Sequence, residues 1–261
     1  MTKLMGVVNV TPDSFSDGGL YLDPEAAVAH GFELAEAGAE ILDVGGESTR
    51  PGADPVSEEE EQRRVVPVVE GLRKAGARIS VDTSKASVAA AALDAGAGIV
   101  NDVTALRGDS EMAALCAQRG ATVVLMHMLG EPRTMQRDPR YDDVVADVKA
   151  FLSGRLEAAV GAGIAEERVW LDPGIGFGKT GAHNMELLRR LGELRELGRP
   201  LVIGTSRKSF LGKVDGSPAD QRLGGTIASS VLAAAEGAEV LRVHDVAEVR
   251  QALAVAAAVL G

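Results

Sequence analysis

Along the chain, apolar and β-branched runs of strand length recur about every 30 residues, and nearly every one is followed by an alanine- and leucine-rich amphipathic stretch of helix length. The strands this pattern predicts cover residues 4–9, 40–44, 78–82, 98–102, 122–127, 168–172, 201–204 and 240–244. They are apolar on both faces, as strands of a parallel sheet covered by helices must be, and lack the in/out alternation of a half-exposed antiparallel sheet. Eight such units in 261 residues predict one α/β domain spanning residues 1–261, a (β/α)8 TIM barrel. An open doubly wound sheet is the alternative, but it would not need eight evenly spaced repeats.

The punctuation fits this parsing. Gly38, Gly76, Gly96, Gly120, Gly163 and Gly198 fall near helix ends, where a left-handed cap favours glycine. Pro67 lies inside the second helical pattern and predicts a kink there, not a boundary. Ser57 and Glu60 read as a capping box, and the acidic run 58–61, followed by Arg63 and Arg64, reads as a solvated helix start.

Composition narrows the picture. A 46% hydrophobic fraction with 25% charged residues is that of a globular protein, and no stretch has the 18 or so uninterrupted apolar residues of a membrane span. The apolar run after Lys3 meets Asn9, Pro12 and Asp13 before it reaches the length of a secretion signal, so a soluble, cytoplasmic protein is expected. Cys116 cannot form an internal disulfide and reads as core filler. A net charge of -11 repels polyanions, which argues against nucleic acid and anionic membrane as partners but leaves room for a local phosphate site.

What stands at the carboxyl ends of the predicted strands is polar throughout: Asn9; Asp43 with Gly45, Gly46 and Glu47; Asp82; Asn101; His127; Asp172; Ser206 with Lys208; and Arg242 with His244. A barrel interior is otherwise filled by branched apolar side chains, so this ring predicts a mouth built for a ligand. Closure brings the eighth strand beside the first, and Arg242, His244 and Asn9 then converge on one side, with charge-assisted donors suited to phosphate oxygens. Asp82, Asn101 and Asp172 can read the N–H edge of a heterocycle; metal binding by the two aspartates is a weaker alternative, because no histidine stands at ligand spacing.

Two strings mislead. Gly174 to Thr180 looks like a P-loop, yet three residues separate Gly174 from Gly178 where that motif requires four, so it reads as a flexible βα-loop. Residues 205–209 carry hydroxyls without an identifiable histidine and carboxylate to activate them. The loops 11–19 and 45–55, rich in glycine, proline, serine and aspartate, read as mobile covers that exclude water.

Taken in order, the strings Gly6 to Gly18, Gly45 to Gly52, Asp82 to Ser84, Asn101-Asp102, Met126 to Met128, Asp172 to Phe177, Ser206 to Phe210 and Leu241 to Asp245 resemble the dihydropteroate synthase family from end to end. The resemblance implies an enzyme that joins 4-aminobenzoate to 6-hydroxymethyl-7,8-dihydropterin diphosphate, giving 7,8-dihydropteroate and pyrophosphate, with magnesium as the ion. It implies that Asp82, Asn101, Asp172 and Lys208 bind the pterin, with Met126 and Arg242 against its faces. Asn9, Arg242 and His244 would hold the diphosphate, with Asn9 also reaching magnesium. Phe15, Thr49, Arg50, Pro51, Phe177, Lys208 and Ser209 would shape the aminobenzoate pocket. The catalytic set it implies is Asp82, Asp172, Lys208, Arg242, His244, Asp17 on the first cover loop and Arg50 on the second. Leu129 and Ala182 depart from the family pattern outside the expected contacts. The family is usually homodimeric, and the stretches 226–235 and 246–260 could supply an interface. The rival on the same fold is a pterin-binding methyltransferase domain that docks on a corrinoid protein; the cover loops, residues 206–210 and the Arg242/His244 pair favour the synthase. A catalytically silent binding module is the third reading.

Overall fold

The structure is a computed structural model and describes residues 2–11, 23–48, 54–131 and 134–260. The strands are β1 (Lys3–Asn9), β2 (Ile41–Gly45), β3 (Arg78–Asp82), β4 (Ile99–Asp102), β5 (Thr122–Met126), β6 (Val169–Asp172), β7 (Val202–Ile203) and β8 (Val240–Val243). Between and after them run α1 (Pro24–Ala37), α2 (Glu58–Leu72), α3 (Ala86–Ala95), α4 (Met112–Arg119), α5 (Val144–Gly161), α6 (Gly181–Arg189), α7 (Ser209–Asp215), α8 (Leu223–Ala235) and α9 (Val246–Leu260). All strand pairs are parallel, in the order β6-β5-β4-β3-β2-β1-β8-β7. The ring closes between β6 and β7 through a bridge of Leu171 to Leu201 and a hydrogen bond from the Leu171 amide to the Pro200 carbonyl, 2.9 Å. Closure excludes the open doubly wound alternative, and the architecture is a TIM barrel.

Alternation along each strand sorts side chains between two cores. The larger lies between strands and helices, with Val8, Leu42, Val81, Val100, Val123, Leu125, Leu171 and Ile203 facing the helices. The smaller plugs the barrel: Met5, Ile41, Ile99, Val124, Trp170, Val202 and Val240 form one closed layer. Arg78 lies over the Trp170 ring at 5.3 Å and donates to Thr122 Oγ1 at 3.1 Å, covering that end. Two residues further along the same strands stand Asp43, Asn101, Met126, Asp172, Gly204 and Arg242, and the interior turns polar there. One pleat step therefore separates the plug from the site.

All six glycines expected near helix ends have positive φ, from 59° to 121°. Helix α2 runs unbroken through Pro67. Only half of its expected capping box forms: Ser57 Oγ accepts from the Glu60 amide at 3.3 Å, while the Glu60 carboxylate turns to Arg63 and Arg64, each at 2.8 Å. The start of α2 is not wholly solvated, because Glu61 is completely buried and paired with Lys85 at 2.5 Å. Cys116 is buried in the core, which pushes its thiol up to about 12. No described helix is long and apolar enough to cross a membrane.

Candidate active site

The barrel mouth is organised by contacts that cross its interior. Arg242 on β8 donates through Nε to Asp43 Oδ2 on β2 at 2.6 Å and through Nη2 to Asp82 Oδ2 on β3 at 2.9 Å. Asn101 on β4 donates to the same Asp43 oxygen at 3.0 Å. None of these strand pairs is adjacent in the sheet, so the side chains can meet only inside the ring. Asn9 ends β1 opposite Gly45, which is itself opposite Asp82, and so sits on the same rim, partly buried.

Burial raises the Asp82 carboxyl to about 7 against the pull of the Arg242 guanidinium. It also raises Asp172, with the Lys208 ammonium opposing, and the Gly174 amide donates to Asp172 Oδ1 at 2.7 Å. Burial lowers the Lys208 ammonium to about 8, with Asp172 opposing. For Arg242, burial disfavours the cation, but Asp43 and Asp82 together more than offset it and hold the charge. These mutual influences bring Asp82, Asp172, Lys208 and Arg242 into one cluster of alternating sign.

The turn after β7 aims two of these groups. Arg207 adopts φ 56°, a left-handed conformation that costs a non-glycine residue about 1–2 kcal/mol. It is held by an ion pair with Asp245 and by donation from its amide to Thr226 Oγ1 at 3.0 Å. On one side of it, Ser206 Oγ accepts from the His244 amide at 3.2 Å and lies 3.0 Å from His244 Nδ1. Ser206 thus fixes the orientation of the His244 ring from its Nδ1 side. The histidine that spacing within residues 205–209 does not show comes from the residue just past β8. On the other side, Lys208 reaches over the Phe177 ring, 4.8 Å from its centroid, and donates to the Ile175 carbonyl. Ser209, the first residue of α7, is exposed.

The loop after β6 is tied to its surroundings by specific contacts. Gly174, Gly176 and Gly178 all have positive φ, and a Cβ on Gly174 would lie 1.9 Å from the His127 carbonyl oxygen. The Gly176 amide donates to Asn184 Oδ1 at 2.7 Å, and Tyr141 Oη donates to the Gly178 carbonyl at 2.8 Å. Met126 and Phe177 belong to one apolar patch beside the mouth, with Val103, Met128 and Met135. Leu129 backs onto Gly178 and Ala182 is exposed on α6, so neither departure reaches the cluster.

One expectation about a strand end needs correction. His127 follows Met126 by one residue and therefore turns outward: it is buried against Phe151, 4.8 Å between ring centroids at 86°, and does not line the mouth. Asp102 likewise turns outward and accepts from the Thr104 and Leu106 amides, at 2.7 and 2.9 Å, as a turn cap. Asp43, by contrast, is the hub of the interior although it stands two residues before the end of its strand. Phe15, Asp17, Thr49, Arg50 and Pro51, and with them most of the first expected cover loop and residues 49–53 of the second, lie outside the described residues.

Comparisons with known proteins agree with this geometry. The profile of the family described as pterin binding enzyme matches residues 5–244. Dihydropteroate synthase of Escherichia coli (strain K12) is 48% identical over 258 residues, covering 98% of this chain and 91% of that one. The Yersinia pestis dihydropteroate synthase structure, in complex with a sulfonamide drug, superposes with a TM-score of 0.96 at 46% identity, covering 99% of this chain and 94% of the other. The Xanthomonas albilineans enzyme with 4-aminobenzoic acid gives 0.93 at 51% identity, covering 100% and 93%.

Proposed function

The chain belongs to the pterin-binding enzymes, among the dihydropteroate synthases, and from that premise we propose that its mouth joins 4-aminobenzoate to 6-hydroxymethyl-7,8-dihydropterin diphosphate in folate biosynthesis. The single observation that carries the reading is the pairing of Arg242 with both Asp43 and Asp82 inside the barrel, which sets a fixed cation between two carboxylates at its mouth.

The chemistry follows from charge. The carbon–oxygen bond between the pterin methylene and the diphosphate breaks with its electron pair going to oxygen; the amine nitrogen of aminobenzoate bonds to the methylene carbon and loses a proton. Positive charge grows on the pterin and negative charge on pyrophosphate, so the substitution is dissociative in character. Asp82 and Asp172 face the cation, and Arg242 with His244 faces the departing anion. Asn101 and Lys208 hold the pterin edge, with Met126 and Arg242 against its faces, and Phe177, Lys208 and Ser209 border the aminobenzoate. No covalent enzyme intermediate is needed, which gives Ser206 an orienting part and not a nucleophilic one.

Magnesium fits as a substrate-borne ion. Among the described residues no group of three or more His, Cys, Asp or Glu is arranged to hold a metal. Magnesium keeps most of its water and takes one or two protein oxygens besides phosphate oxygens, so the Asn9 amide oxygen beside a diphosphate is a sufficient donor. Bound there, the ion would neutralise diphosphate charge. We also read the chain as a homodimer through α8 and α9, where Leu232, Val255 and Val259 are 62%, 61% and 78% exposed.

The test mixes protein, pterin diphosphate and magnesium with and without 4-aminobenzoate. Dihydropteroate forming only with the amine, one pyrophosphate per product, supports the reading. Methyl transfer from methyltetrahydrofolate to a corrinoid protein would replace it with the methyltransferase alternative.

A further inference from the structure

Outside the mouth, between β5 and the loop after β6, lies a buried ammonium that the reaction does not use. Lys179 is 2% exposed. Its Nζ lies 2.8 Å from His127 Nδ1 and donates to the Phe177 carbonyl at 3.0 Å and, at the long limit of 3.5 Å, to the His127 carbonyl. Its hydrogen-bond partners are thus an imidazole and two carbonyls, with no carboxylate among them. Burial lowers the His127 imidazole to about 3, so the ring is neutral and its Nδ1 accepts from Lys179; burial also lowers Lys179 to about 7, with Asp172 opposing, and its nitrogen keeps N–H donors for these acceptors in either protonation state. Such an arrangement gives the cation no ion-pair energy at contact distance, and a methionine of similar length would pack in its place. What the ammonium does provide is geometric: its donors tie the end of β5 to the 174–178 loop from behind.

The front of that loop faces the mouth. Phe177 places its ring under the Lys208 ammonium, and the Ile175 carbonyl receives Lys208. Gly176 lets Lys208 lie across the loop, since a Cβ there would come within 3.1 Å of its Cδ. The loop therefore links the buried Lys179 on one side to the active-site Lys208 on the other. The Asp43, Asp82, Asn101 and Arg242 cluster, held across the barrel floor, shares none of these hydrogen bonds.

We propose that Lys179 is a positioning residue for the aminobenzoate half of the site, fixing Phe177 and Lys208 through the 174–178 loop while the carboxylate and guanidinium cluster on the barrel floor stays independent of it. The proposal rests on reading Phe177 and Lys208 as the aminobenzoate contacts.

Lys179→Met in the full chain tests it, with Tyr141→Phe as a milder second variant that removes only the hydroxyl held by Gly178. The KM for 4-aminobenzoate at saturating pterin diphosphate should rise about tenfold in Lys179→Met, the size expected for losing one buried hydrogen bond. The same direction, to a smaller degree, is expected in Tyr141→Phe. The Kd for pterin diphosphate, measured by calorimetry without aminobenzoate, should rise less than that KM: Lys208 and Asp172 also touch the loop, but Asp43, Asp82, Asn101 and Arg242 keep their hydrogen bonds. Amide hydrogen exchange should quicken in residues 174–178 and not in β2 or β3. Equal loss of both substrates, or an unmoved aminobenzoate KM in either folded variant, overturns the positioning role while leaving the synthase reading intact. Absence of dihydropteroate from the unaltered enzyme strikes the synthase reading itself, and this proposal with it.

Discussion

One oxygen, Asp43 Oδ2, receives both Arg242 and Asn101, while Asp43 Oδ1 is buried without a hydrogen-bond partner. The charge of Asp43 therefore acts through its neighbours, by fixing where the guanidinium and the amide point. Asp43→Asn keeps the shape and removes the charge; at about 1.5–3 kcal/mol for a charge-assisted bond, kcat/KM for pterin diphosphate should fall about ten- to hundredfold, with a smaller change in the aminobenzoate KM. Steady-state kinetics with each substrate varied in turn checks it. The same cluster sets the pH dependence. Asp82, raised to about 7 by burial against Arg242, loses its negative charge as pH falls through that value, and Lys208, lowered to about 8 by burial, loses its positive charge as pH rises through that one. The kcat/KM profile should be a bell with its maximum between those values, and Asp82→Asn should remove the acid limb. At this scale the sequence was legible wherever a polar residue stood at a strand end facing inward, as with Asp82, Asn101 and Asp172. It misled at His127, where one step along the strand reverses the face, and it passed over the Ser206 to His244 contact, which joins residues 38 apart.

At the scale of elements, α2 and the segment between β3 and α3 share a buried charge. Lys85 bridges Glu61 on α2 and Glu47 at the end of the described part of the loop after β2. Glu61 Oε1 has no hydrogen-bond partner, and burial raises its carboxyl although Lys85 opposes the shift. Lys85→Met leaves that carboxylate uncompensated and should cost about 3–5 kcal/mol in denaturant unfolding at neutral pH. Because protonation neutralises Glu61, the deficit should shrink as pH falls through its raised titration range; a deficit independent of pH would assign it to lost packing. The acidic run 58–61 looked like solvated helix start because four successive glutamates share one composition, but helical periodicity turns one of them inward.

On the scale of the whole molecule, Trp170 is the largest side chain of the layer that plugs the barrel, gathered with residues from six other strands. Trp170→Ala should destabilise by about 3–5 kcal/mol, and circular dichroism should show one cooperative transition, since the cavity touches the entire ring. The proposed dimer makes its own prediction. Val255→Asp combined with Val259→Asp, four residues apart on the exposed side of α9, should reduce the mass in analytical ultracentrifugation to that of one chain. Unchanged sedimentation would move the interface elsewhere or remove it. The number of strands, their parallel pairing, the glycine caps and the polar ring at the strand ends were determined by the sequence alone, because periodicity and backbone conformation are local properties of a few neighbouring residues. Which carboxylate anchors Arg242, which histidine meets Ser206 and which lysine lies buried behind the 174–178 loop were decided only by the tertiary structure. Those contacts exist because the ring closes and brings strands distant in sequence within hydrogen-bond reach, and that distance is written nowhere along the chain.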